Sequence, residues 1–222
     1  MPAKPTVTVR EVGPRDGLQM ARTIMPTSDK LRWIAALVAS GIREMEVASF
    51  VPPAAMPQMA DAAEVTRAVR TAHPKLHVVT LAPNLRGAQN ATAAGAQSII
   101  MPVSASEAHS QANVRRTRMD QVTEVGRVVE WVRTLDANAP RIEAGISTAF
   151  GCSLQGLVPE NEVLFLATAL AEAGVDAVAL ADTLGYGTPS QIRRLVRWTP
   201  VLRQVAMRES CSYKQPRNRS SQ

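Results

Sequence analysis

Apolar residues fall along this chain in two alternating rhythms. Leu31, Ile34, Ala35 and Val38 repeat at i, i+3, i+4 and i+7, and so do Val163, Leu166, Ala167 and Leu170. That spacing puts an apolar stripe on one face of an α-helix. Between such stretches lie short, nearly continuous apolar runs at about 6–12, 43–49, 76–82, 98–103, 142–149 and 177–182. Runs of this kind suit parallel strands covered on both faces. The segments "VASGIREMEV", "TAAGAQSIIM" and "AEAGVDAVAL" join the two rhythms in one way: a helical pattern stops at Gly41, Gly95 or Gly174 and a strand follows at once. Glycine takes the left-handed conformation that ends a helix. Thr188–Pro189 predicts the cap and first residue of a last helix with Ile192, Leu195 and Val196 on one face. Pro159, with Glu160 and Glu162, opens the helix before it and places acid at its positive end.

Strand then helix, six times over, predicts an α/β fold with a parallel sheet. An open doubly wound sheet and a (β/α)8 barrel both satisfy that grammar. No G-x-G-x-x-G follows the first strand, and polar residues gather just past the strand ends: Arg15–Asp16, Glu46 to Ser49, Asn84, Ser104, Ser147 and Asp182–Thr183. In a barrel those ends form one ring at the C-terminal face, where active sites lie. The expected fold is therefore α/β of the (β/α)8 TIM-barrel type, with only about six βα units present. Residues 1–202 are expected to form an incomplete barrel domain. Residues 203–222 read as a basic tail without period, expected to be disordered.

Composition narrows the class. The chain has 222 residues, 45% of them hydrophobic, but only 4% aromatic, so Ala, Val, Leu, Ile and Met must build the core. Cys152 and Cys211 make neither a disulfide framework nor a zinc spacing. With no apolar signal segment at the N-terminus and no membrane-length apolar run, the expectation is a cytoplasmic protein with no membrane association. The net charge is +6, of which +4 falls between Arg203 and Gln222. A basic tail is not a basic groove, and no aromatic-studded strand accompanies it, so no nucleic-acid partner is expected.

Candidate chemistry lies at the strand ends. Arg15 suits an anion or a developing oxyanion, and Asp16 offers an oxygen ligand to a divalent metal. A surface turn with a weak local ion pair explains the two residues equally well. By strand alternation Glu46 shares a face with Ile42, Glu44 and Ala48. If that face is interior, its carboxylate needs a cation, and Arg15 on the neighbouring strand is the candidate; an exposed edge strand is the alternative. Asp182, straight after "DAVALA", stands where a barrel places functional groups, and a helix or turn cap is the alternative. Cys152 has no nearby His to activate it and reads as buried and inert, and His109 reads as a solvated loop histidine.

Together, "EVGPRDGLQ", "EVASFV", "APNLRG", "FGCSLQG" and "LADTLGYGTP" resemble the corresponding segments of the 3-hydroxy-3-methylglutaryl-CoA lyase family, in the family's order over roughly residues 6–200. The resemblance implies a (β/α)8 barrel, a divalent metal (Mg²⁺ or Mn²⁺), and retro-Claisen cleavage of a 3-hydroxyacyl-CoA to acetyl-CoA and a keto acid. Carried over by position, Asp16 matches a metal ligand and Arg15 the arginine that stabilises the enolate. Glu46 matches the glutamate that orients that arginine, and Asp182 an acid–base aspartate. Gln19, Ser49 and Thr183 match pocket residues.

Departures accompany the match. The family's His-x-His pair, a further Asn ligand and the catalytic Cys in a Gly-rich loop have no counterpart here. Cys211 in "ESCSYK" does not fit that loop, and "SLQG" puts Gln155 where the family has a carboxylate. The expected reading is a C-terminally truncated lyase with impaired activity and an acyl-CoA substrate. Exposed sheet edges point to a homodimer or self-association. A condensing acyltransferase of the isopropylmalate-synthase type, or a non-catalytic fragment, is the alternative.

Overall fold

The computed structural model describes residues 8–135, 139–197 and 206–210. Strand β1 (Arg10–Glu11) leads through a single wide turn of π-type helix (Gly13–Gly17) to α1 (Thr27–Ala39). Then follow β2 (Glu44–Ser49), a 3₁₀ turn (Pro57–Met59), α2 (Ala62–Ala72), β3 (His77–Leu81), α3 (Leu85–Ala93) and β4 (Ser98–Ser104). The chain continues through α4 (Glu107–Val114), α5 (Arg118–Val132), β5 (Arg141–Ser147), α6 (Glu160–Glu172), β6 (Ala177–Ala181), α7 (Pro189–Arg197) and β7 (Ala206–Ser210).

The strands lie in one sheet in the order β1-β2-β3-β4-β5-β6-β7. The pairs β1–β2, β2–β3, β3–β4, β5–β6 and β6–β7 are parallel. Chain order decides between the two architectures open at the sequence level. A doubly wound sheet reverses its strand order at a switch point, whereas a barrel adds each strand beside the one before it. The sheet is that of a (β/α)8-type fold, with six βα units among the described residues. The three helix-stopping glycines behave as the repeated grammar requires: Gly41, Gly95 and Gly174 have φ of 106°, 91° and 87°. Thr188 caps α7, its Oγ1 accepting from Gln191 N at 3.3 Å.

Two compact units divide the chain. One takes the residues up to Met101 with Glu130–Ile142; the other takes Pro102–Val129 and the residues from Glu143 onward. In the first, Ile34 of α1, Met45 and Val47 of β2, Val65 and Val69 of α2 and Val78 of β3 are buried together as its core. In the second, Val125 and Val128 of α5, Ile146 of β5, Leu166 and Leu170 of α6 and Val178 of β6 play that part. Of the helical stripes read from the sequence, that of α6 is buried throughout, while α1 buries Ile34 and α7 Leu195 from theirs.

One expectation needs correcting. Residues 206–210, expected inside an aperiodic tail, form β7 and pair with β6 over their whole length, from Ala177↔Ala206 to Ala181↔Ser210. "AMRES" carries no apolar run to announce a strand. The backbone edge of β6 supplies the N–H and C=O partners instead, and strand formation depends on such context more than on propensity. Cys211 and the rest of the expected tail lie outside the described residues.

A buried lysine holds the start of α1 to the loop after β2. Lys30 is 3% exposed; its Nζ donates to Gln58 O and to Asp61 Oδ1, both at 2.6 Å. Thr27 Oγ1 donates to the other carboxylate oxygen of Asp61 at 2.8 Å. Removing one partner of a buried pair strands the other's charge. Lys30→Met is expected to cost about 3 kcal/mol, and Lys30→Met with Asp61→Leu distinctly less. Urea unfolding of both variants checks this.

Candidate active site

The first unit assembles a chain of charges at the end of β1. After Glu11 the backbone makes the Gly13–Gly17 turn, with the amides of Arg15 and Asp16 both on Val12 O, at 3.1 and 2.7 Å. Such one-turn widenings recur at functional sites. Glu11 Oε1 accepts from Gly13 N at 2.6 Å. A Cβ at Gly13 would stand 2.8 Å from that oxygen and 3.0 Å from the Trp33 ring, so a larger residue there would push the Glu11 carboxylate off the Gly13 amide.

The turn aims Arg15 at β2. Arg15 Nε donates to Glu46 Oε2 at 2.6 Å and Nη2 reaches the same oxygen. Nη1 donates to Asp16 Oδ1 at 3.0 Å. The Glu46 side chain is only 4% exposed and that of Arg15 15%. All six residues of β2 are buried, and the strand lies between β1 and β3. The edge-strand alternative for Glu46 therefore falls, and Glu46 has the cation its burial demands. The β2–β3 register slips between Glu46 and Ala48, the kind of bulge that re-aims side chains near sites. Gln19 and Ser49 also belong to this unit. Gln19 Oε1 and Ser49 Oγ are buried with no hydrogen-bond partner among the described residues, which is rare for buried polar atoms.

Asp182 and Thr183 belong to the second unit, where a separate network places them. Asp182 caps its own turn with both oxygens: Oδ1 accepts from Tyr186 N and Oδ2 from Gly187 N, each at 2.9 Å. A Cβ at Gly187 would stand 2.9 Å from Asp182 Oδ2, so the carboxylate approaches this closely only because the residue is glycine. Thr183 Oγ1 accepts from Thr148 N at 2.8 Å. Thr148 itself has φ of 57°, a left-handed conformation that strains a β-branched residue. Its Oγ1 accepts from Ser106 N at 3.1 Å and donates to Ser147 O at 2.6 Å, and these bonds hold the strained backbone.

Cys152 is buried, as expected, in a tight loop closed by two backbone bonds with Gly156, each at 2.8 Å. Burial pushes its thiol up, but hydrogen bonds from the Ser106 hydroxyl and the amides of Leu154 and Gln155 outweigh that and leave it below its ordinary value. The same Ser106 hydroxyl lies 2.8 Å from Gln155 Oε1.

Sequence reasoning missed two features. The segment holding His109 is helix α4, capped by Ser106, and His109 Nδ1 lies 2.8 Å from Ser104 Oγ, so it is not a solvated loop histidine. The serine three residues ahead of His109 was the available cap signal. The second is Arg10, in register with Glu44 on β2 and bonded to it through Nε at 2.6 Å; strand alternation flagged Glu44 but not its partner.

Among the described residues, no group of three or more His, Cys, Asp or Glu is arranged to hold a metal. Asp16 supplies a single carboxylate, and one of its oxygens already faces Arg15. These residues do not make a metal site by themselves.

The doubly bonded Asp182 turn has a direct test. An asparagine has one acceptor oxygen where aspartate has two. Asp182→Asn is expected to speed amide hydrogen exchange at Tyr186 or Gly187 about tenfold, the loss of one hydrogen bond. Exchange NMR on the variant reads this residue by residue.

The match to the HMGL-like family model runs over residues 6–211. The chain is 37% identical over 190 residues to the 3-hydroxy-3-isohexenylglutaryl-CoA/hydroxy-methylglutaryl-CoA lyase of Pseudomonas aeruginosa, covering 86% of this chain and 62% of that one. It is 32% identical over 200 residues to the (R)-citramalyl-CoA lyase of Chloroflexus aurantiacus, with 86% and 62% covered. Its structure matches that of an HMG-CoA lyase from Acinetobacter baumannii in complex with coenzyme A and 3-methylmalate, with TM-score 0.82 and 34% identity over 90% of this chain and 65% of that one. The chain thus spans less than two thirds of the length of these relatives. On the strength of the family match over almost its whole length, and of a barrel-type sheet with an Arg–Asp turn after its first strand, the chain belongs to the HMGL-like family.

Proposed function

We propose that the chain carries the machinery of an acyl-CoA lyase that cleaves a 3-hydroxyacyl-CoA by a retro-Claisen reaction. The observation that supports this best is the buried Arg15–Glu46 pair, which presents a fixed guanidinium at a strand end. In such a reaction the 3-hydroxyl loses its proton and its oxygen becomes a carbonyl. The C2–C3 bond breaks, and its electron pair passes to C2 as the enolate of the departing acyl-CoA thioester. C2 then takes a proton. For 3-hydroxy-3-methylglutaryl-CoA the products are acetyl-CoA and acetoacetate.

Arg15 stabilises the enolate oxygen as its charge develops, and a preformed donor does so without reorganising. Glu46 orients Arg15. Asp182 handles a proton; its oxygens each accept one amide and keep a second lone pair for it. Thr183 fixes the backbone of Thr148, while Gln19 and Ser49 offer their unpartnered buried oxygens to substrate. A divalent metal of the kind the resemblance implies, Mg²⁺ or Mn²⁺, would draw on Asp16 and would acidify the 3-hydroxyl. The described residues do not complete its site, so no step is derived through it.

The acyl group is a second question. Gln155, bonded to Ser106, brings an amide where a carboxylate was expected, which fits acyl-CoAs other than the methylglutaryl one, citramalyl-CoA among them. The cysteine usage fits a cytoplasmic location, and a homodimer is part of the reading. No helix among the described residues is long and apolar enough to cross a membrane.

The test is acetyl-CoA release from 3-hydroxy-3-methylglutaryl-CoA and citramalyl-CoA with Mg²⁺ or Mn²⁺. Slow release is expected from the chain, lowered about 100-fold in Arg15→Met, the typical loss for one oxyanion donor. Equal rates for the chain and Arg15→Met would sink the reading.

A further inference from the structure

Beside the Arg15–Glu46 pair lies a second one that the proposed reaction does not use. Arg10 of β1 donates through Nε to Glu44 Oε1 at 2.6 Å, and its Nη2 lies 2.5 Å from the same oxygen. Its Nη1 stands 3.8 Å from Glu46 Oε1. Glu46 thus faces a guanidinium on each oxygen: Oε2 takes Arg15 and Oε1 faces Arg10. Read across the two strands, the charges alternate as Glu44, Arg10, Glu46, Arg15, Asp16. The Arg10 side chain is 14% exposed and that of Glu44 9%, so water screens this series weakly.

Two physical consequences follow for Arg15. The last torsion of a glutamate is broad and roughly two-fold, so one arginine on one oxygen leaves the carboxylate plane free to turn. A second guanidinium facing the other oxygen sets that plane, and with it the direction in which Oε2 holds Arg15. Arg10 also draws on the charge of Glu46 in a low-dielectric setting. Less of that negative charge then falls on Arg15, whose positive field is left to act on an oxyanion. Glu44 balances Arg10, so the added pair brings no net charge into the sheet.

We infer that Arg10 is a positioning residue for Arg15, acting through Glu46. The inference rests on reading Arg15 as the group that holds the enolate, but its test does not measure turnover. In protein labelled with ¹⁵N-arginine, each Nε–H gives its own signal, assigned by loss in Arg15→Lys and Arg10→Lys. Arg15 Nε–H, bonded to Glu46, is expected to exchange slowly with solvent. In Arg10→Met its exchange speeds up about tenfold, the weakening of one charged hydrogen bond. Arg10→Met leaves Glu44 buried without this partner and risks misfolding, so Arg10→Met with Glu44→Met, which removes both charges, carries the same expectation. Arg10→Lys keeps the charge, loses the planar fork and is expected to fall between, about threefold faster than the unsubstituted chain.

Arg15 exchange within twofold of the unsubstituted chain in any folded Arg10 variant overturns the inference. A uniform loss of protection at backbone amides across the unit, in place of a change confined to Arg15, also overturns it, because that is what a merely structural role produces. If Arg15→Met leaves acetyl-CoA release unchanged while the exchange effect of Arg10 is present, the lyase reading fails and the positioning of Arg15 by Arg10 stands.

Discussion

A guanidinium buried at the end of a parallel sheet is stable only if a carboxylate meets it there, and the first unit is arranged around that requirement. Glu46 is nearly inaccessible and accepts Arg15. To deliver Arg15, β1 stops after two residues and gives way to a wide helical turn. To deliver Glu46, β2 carries carboxylates on one face and Met45 and Val47 on the other, and its register slips just past Glu46. Breaking such a pair from one side leaves an uncompensated charge. The geometry is therefore over-determined by its surroundings.

The second unit solves a different problem by a different means. Its candidate residues are held by hydrogen bonds to backbone and hydroxyl groups at the ends of β4, β5 and β6, with no arginine or lysine among these partners. Thr148, in a left-handed conformation, ties Ser106, Ser147 and Thr183 together through its amide and hydroxyl. Asp182 closes the turn that follows β6. Local strain of this sort persists only where several bonds fix it, and it gathers where side chains must be aimed. Ser104 and His109 extend the same polar character to the end of β4.

Much of the fold was legible because its signals are local. Helix stripes such as Val163, Leu166 and Leu170 need only a 3.6-residue period, and Gly41, Gly95 and Gly174 need only a left-handed φ. β7 was not legible, because its partner is the open edge of β6 and its own residues carry no strand pattern. The C-terminal end of β1 escaped for a similar reason: "VTVREV" reads as a strand through Val12, and the turn that truncates it is held by the Gly13 amide on Glu11 Oε1 and by the amides of Arg15 and Asp16 on Val12 O.

The sequence by itself determined the α/β class, the order of the elements and which residue types stand past the strand ends, since periodicity and glycine chemistry act over a few residues. It also left Arg15–Asp16 balanced between a surface turn and a site, and Glu46 between an edge and an interior. Only the tertiary structure resolved the second of these, because the answer lies in what comes from the next strand. Chain-order pairing puts β1 beside β2 and β2 between β1 and β3. That buries Glu46, brings Arg10 and Arg15 to its two oxygens, and turns five charges from two separate stretches of the sequence into one connected series.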